Sequence, residues 1–176
     1  MKKLLLLFVL MSLIKPCLSQ EIKETFSNSE LFSTQSGTLI EKEFIDIGNV
    51  GKTEIQILKI TDMISGESIS SLRITRKIRD SYSTDTKIAN LDSDEIDGLI
   101  KSIKVIKESV FGSVASNYTE ITFRSRSGFQ AGCYRSKNDW QTYLQMEKND
   151  SKSMVWLKKD EFIQFLKLLE NAKSKI

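Results

Sequence analysis

From Thr38 onward the apolar and polar positions alternate with a period of two, and that pattern predicts the first half of the chain. Residues 38–47 alternate Leu39, Phe44, Ile45 and Ile47 with charged residues, predicting a strand that ends at the turn signal Gly48-Asn49-Val50-Gly51. A second strand is expected over 53–64, with Ile55, Ile57 and Ile60, followed by a turn at Ser65-Gly66-Glu67. Residues 68–79 put Leu72, Ile74 and Ile78 on one face and Arg73, Thr75, Lys77 and Arg79 on the other. After a polar loop over 80–84, a short strand over 87–91 leads into the first helix.

There the period changes to that of a helix. Ile96, Leu99, Ile100, Ile103 and Ile106 make one apolar stripe, and Lys101, Lys104 and Lys107 lie off it. Asp92 followed by Glu95 is a capping signature, and Asp94 and Glu95 suit the positive end of the helix dipole. After a crossing loop over 111–117, alternation resumes at 119–126. A two-residue hairpin at Ser127-Gly128 would place Arg126 opposite Phe129, Arg124 opposite Ala131 and Glu120 opposite Arg135. That register puts Ile121, Phe123, Gly132 and Tyr134 on the core side. A three-residue turn at Lys137-Asn138-Asp139 then keeps Trp140, Leu144 and Met146 inside. A short strand over 153–157 precedes a second helix over 159–173.

The two helices open alike. Leu91-Asp92-Ser93-Asp94-Glu95-Ile96 returns as Leu157-Lys158-Lys159-Asp160-Glu161-Phe162. The fold class expected is therefore α+β: two consecutive antiparallel units, each of four strands and a helix, over about 38–108 and 118–174, in one domain spanning 38–176. In element order this resembles the duplicated sheet-plus-helix units of the Whirly and Pur-alpha single-strand nucleic-acid binders. The resemblance implies a ligand face on the strands.

The N-terminus alters the charge picture. Lys2 and Lys3, a short apolar run from Leu4 to Ile14, and Cys17-Leu18-Ser19 before Gln20 form a secretory pattern over 1–19, too short to span a bilayer comfortably. The chain carries 26 basic and 23 acidic residues, and the leader holds Lys2, Lys3 and Lys15 and no acid. The exported chain is formally neutral and has no bulk field to draw it onto nucleic acid or anionic lipid. No transmembrane segment is expected after its removal. Residues 20–37 are expected to form a flexible arm, with one turn of helix near 29–32.

Chemistry is sparse. The chain has no histidine, so Ser-His and Cys-His pairs cannot form, and outside the leader the one thiol is Cys133, expected to be a small buried residue. No phosphate loop, calcium ladder or zinc spacing occurs, so no cofactor or metal is expected, and the acid pairs Asp94-Glu95 and Asp160-Glu161 are explained by helix dipoles. All six arginines lie in strand regions. Arg124, Arg126 and Arg135, with Phe129, are the candidate binding residues, read as one exposed face suited to an anionic ligand. The functional expectation is an exported, non-enzymatic module that binds a protein or a small ligand; the alternative is a nucleic-acid or polyanion binder working through that arginine face.

Overall fold

Strand pairing follows chain order in both halves. The computed structural model describes residues 26–79, 82–136 and 139–176. The expected leader over 1–19 and residues 20–25 of the arm lie outside the described residues. The first sheet is a meander of β1 (Ile40–Val50), β2 (Thr53–Asp62), β3 (Ser68–Arg79) and β4 (Thr84–Asp92). The second is a meander of β5 (Glu120–Arg124), β6 (Gln130–Ser136), β7 (Asp139–Gln145) and β8 (Met154–Leu157). All pairings are antiparallel. A short helix α1 (Asn28–Ser33) precedes the first sheet; α2 (Ser93–Val105) follows it, and α3 (Lys159–Lys173) follows the second. This is the α+β arrangement of two four-strand-plus-helix units expected from the pattern.

The helices join the sheets. α2 lies against β3 and β4 of the first sheet and β5 of the second, α3 against β1 and β2 of the first and β7 and β8 of the second, and the helices touch each other. Each apolar stripe is thus consumed: Ile96, Leu99, Ile100 and Ile103 of α2 and Phe162, Phe165, Leu166 and Leu169 of α3 are buried in one core with residues of both sheets. Gly98 lets α2 lie close to β5, since a Cβ there would sit 3.3 Å from the Phe123 ring. Lys104 pairs with Glu170 at 2.7 Å, and Lys173 pairs with Asp97 across the same helix contact. Beyond Val105 the helix widens into a π turn over Ile106–Val110, which brings Phe111 beside Phe162 at 6.4 Å.

Several local expectations are corrected. β1 does not stop at 47. It runs to Val50 by means of a bulge between Asp46 and Gly48, so only Gly51 and Lys52 turn the chain. β4 is longer than 87–91 and begins at Thr84. Leu58 and Ile60 are buried on the face opposite Ile55 and Ile57, where α1 packs on β2, β3 and β4. The expected turn of helix in the arm is present as α1.

The largest correction concerns the β5–β6 register. Arg124 pairs with Gln130, Thr122 with Gly132 and Glu120 with Tyr134, one residue away from the expected pairing. The hairpin has a three-residue loop, Arg126-Ser127-Gly128. It is closed by Ser125 N–H donating to the Phe129 carbonyl at 2.9 Å and by Gly128 N–H donating to the Ser125 carbonyl at 3.2 Å. Gly128 has φ +92°, the left-handed residue that ends such a loop. The shift exchanges the faces of β6. Phe129, Ala131 and Cys133 point into the core, and Gly132 and Tyr134 face outward, opposite Tyr143 and Gln141. The expected β6–β7 turn is also one residue too long, because pairing resumes at Ser136 with Asp139. The two differences cancel, so Trp140, Leu144 and Met146 are buried as expected.

Candidate functional site

The four candidate residues do not form one face. Phe129 is 0% exposed, which corrects its expected position on an open surface. The physical reason is the register: the pairing adopted buries Phe129, Ala131 and Cys133, whereas the alternative would bury a bare glycine and a tyrosine. Gly132 is itself held in place by crowding, because a Cβ there would lie 2.1 Å from the Ile121 carbonyl oxygen.

Arg126 is drawn to the start of α2. Its guanidinium donates to Asp94 at 2.7 and 3.0 Å and to Asp92 at 2.9 Å, and its backbone N–H donates to Glu95 at 2.7 Å. Asp92, at the N-cap of α2, is almost fully buried. Its carboxylate accepts the N–H groups of Asn28 and Ser29 at 2.8 and 3.2 Å and so caps α1. Glu95 supplies the usual reciprocal half of the box, accepting Asp92 N–H at 3.1 Å. Ser127 Oγ donates to the Asn90 carbonyl at 2.9 Å. The hydrogen bonds and charge of Arg126 lower the Asp94 pKa below the usual carboxylate range, and the two aspartates raise that of Arg126. The β5–β6 loop is therefore pinned to the β4–α2 junction by charge-assisted bonds.

A second pin holds the β7–β8 turn. Lys87 on β4, 15% exposed, pairs with Asp150 at 2.8 Å, with Glu147 at 3.2 Å and with its neighbour Asp85 at 3.2 Å. These hydrogen bonds, Asp150 first, raise the Lys87 pKa and lower that of Asp150.

Between the two pins lies a cleft of about 830 Å³. Ile88 and Ala89 of β4 and Met146 supply apolar lining, Phe26 and Glu30 border it beside α1, and the loops from Arg124 to Gly128 and Glu147 to Asn149 form its walls. The walls meet where Lys148 Cβ packs within 3.1 Å of the Cβ position of Gly128. Arg124 and Arg126 thus do share a site, but a cleft between sheets rather than a flat strand face.

Arg135 is elsewhere. It is half-buried at the other end of β6, with its guanidinium 5.9 Å from the centre of the Trp140 ring and Nη1 donating to the Ser113 carbonyl at 3.4 Å. That carbonyl also accepts Trp140 Nε1–H at 3.1 Å, which ties the loop after α2 to β6 and β7.

The outer face of the second sheet carries a row of aromatic rings. Tyr118, Tyr134, Trp156 and Tyr143 form a continuous row with ring centres 6.3, 5.7 and 6.1 Å apart. Tyr118 is 70% and Trp156 57% exposed. Tyr143 is anchored by a 2.8 Å hydrogen bond between its hydroxyl and that of Thr122, and Tyr118 donates to Glu120, which raises the Tyr118 pKa. Tyr134, expected on the core side, faces out with Trp156, whereas Trp140 is buried as expected. Alternation within Met154-Val155-Trp156-Leu157 held the signal, since it puts Trp156 opposite two buried aliphatics.

Cys133 is fully buried, and burial pushes its thiol pKa up to about 11, so it is not a thiolate nucleophile at neutral pH. Among the described residues no group of His, Cys, Asp and Glu is arranged to hold a metal ion. No protein-family model matches this chain, and neither does any curated protein or solved structure.

Proposed function

We propose that the protein is an exported, non-enzymatic binding module, built as two copies of one sheet-plus-helix unit, that takes a small ligand in the cleft between its sheets. The observation that carries this reading is the cleft. About 830 Å³ of open volume, of the size of ordinary ligand sites, is lined from four separate parts of the chain and braced on two sides by buried or half-buried ion pairs. A non-catalytic role is supported by the absence of histidine and by the burial of Cys133. Export is supported by the leader pattern of residues 1–19. Among the described residues, no helix is long and apolar enough to cross a membrane.

The test is an NMR screen of the purified protein against mixed small molecules, reading the signals of Ile88, Ala89 and Met146. Hits should perturb these three and should be lost in Ile88→Trp, which fills the cleft. Hits scattered over the surface, or turnover of any screened compound, would overturn the reading.

A second reading keeps the single-stranded nucleic acid or polyanion alternative on a different set of residues. It is favoured by the aromatic row, which shares the outer face of the second sheet with exposed Arg124. Binding to single-stranded DNA that weakens steeply with salt and is lost in Trp156→Ala supports it; a response flat in salt sinks it.

A further inference from the structure

The charges around the cleft are not equally committed. Five charged residues line it: Glu30, Arg124, Arg126, Glu147 and Lys148. Glu30 accepts Ser27 N–H at 2.8 Å and the Asn90 amide at 3.1 Å. Glu147 is paired with Lys87, and Arg126 with Asp92 and Asp94. Among the described residues, neither Arg124 nor Lys148 enters an ion pair. Both acids of the lining are thus bonded to the protein's own donors, and two cations are left at the rim. Beneath them the lining is apolar: Phe26 is 53% and Ile88 37% exposed, with Ala89 and Met146 behind.

We propose that the ligand of this cleft is a small amphipathic monocarboxylate. Its apolar body lies on Phe26 and Ile88, and its carboxylate is held by Arg124 and Lys148. The inference rests on the cleft reading above and adds the chemical class of the ligand. Three physical points select that class. An apolar floor favours a body that loses little by leaving water. Two uncommitted cations on facing walls favour an anionic head, and the planar guanidinium fork of Arg124 matches a carboxylate. A ligand of higher negative charge would bring a second anionic group towards Glu30 and Glu147, whereas a single head can sit at the rim.

The probes are decanoate, decanol and decylammonium, which share one apolar body and differ in head charge. Each is titrated into the purified protein below its micelle concentration, reading the NMR signals of Ile88, Ala89 and Met146. Decanoate is expected to bind about tenfold or more tightly than decanol, with decylammonium weakest. Arg124→Ala combined with Lys148→Ala should bring decanoate to the level of decanol while leaving the thermal midpoint unchanged, since both side chains are exposed.

If decanol binds the cleft as tightly as decanoate, or decylammonium binds best, the anion inference is overturned and the cleft reading stands. If the preference for decanoate survives the double substitution, the assignment to Arg124 and Lys148 is overturned. If none of the three probes moves the cleft signals, the carboxylate inference falls. The cleft reading then falls too if the broader screen also leaves these signals unmoved.

Discussion

The two helix openings share their sequence pattern and differ in what they hold. In the second unit, Glu161 accepts Lys158 N–H at 2.7 Å and caps its own helix, while Asp160 is exposed and, among the described residues, makes no side-chain bond. In the first unit the corresponding pair, together with Asp92, joins two distant segments to the helix start. Asp92 caps α1, Asp92 and Asp94 hold Arg126, and Glu95 holds both its own helix start and the backbone of the β5–β6 loop. The distinguishing position is the residue after the leucine: Asp92 in one unit, Lys158 in the other. A carboxylate there can accept backbone N–H groups and a guanidinium, and an ammonium can do neither. One local signal therefore ends a helix in both places, and a single further acid turns one of them into a junction that braces the cleft.

The largest test of that difference is Asp92→Ala against Lys158→Ala. The first should cost about 3 kcal/mol, because it leaves two amides of α1 uncapped and removes a buried partner of Arg126. The second should stay within about 0.5 kcal/mol. Chemical denaturation of both variants measures the gap, and equal losses would erase the contrast. Next in size, Glu95→Ala should cost about 2 kcal/mol, for a charge-assisted bond to another element as well as a cap. Glu161→Ala should cost about 1 kcal/mol, for the cap alone.

A pH series sharpens the same point. The folded-state pKa of Asp94 is depressed by Arg126, so its contribution is fully present above the unfolded value of about 4 and is lost as pH falls through the lower folded value. The stability gap between the parent and Arg126→Gln should therefore be widest near neutrality and shrink as the pH drops below about 4. A gap that is constant with pH would mean that Arg126 acts by packing alone. The smallest effect belongs to Asp160→Asn, expected to cost only about 0.3 kcal/mol through the helix dipole.

Element order, both main helices and their buried stripes were legible in the sequence because they depend on residues two to four apart. The spacing of Ile96, Leu99, Ile100 and Ile103, or of Phe162, Phe165 and Leu166, leaves one face to bury whatever lies opposite it. Of the candidate site, Arg124 and Arg126 were found by residue type, while Lys148 and Phe26 were not. Lys148 and Phe26 matter only because turns and α1 converge on β4, and sequence spacing does not encode that convergence.

The β5–β6 register marks the boundary between local and tertiary information. Arg126-Ser127-Gly128 permits a loop of either two or three residues on local grounds. The choice was made at long range, by Phe129 entering a core shared with both helices and by Arg126 reaching acids 32 to 34 positions earlier in the chain. By itself the sequence determined which segments become strands and helices, and which side of each helix is apolar. Tertiary structure alone decided which face of β6 is buried, whether an arginine stands at a cleft rim or serves as a brace, and that a cleft exists. Periodicity is a property of neighbours along the chain, whereas burial and charge pairing depend on groups that only folding brings together.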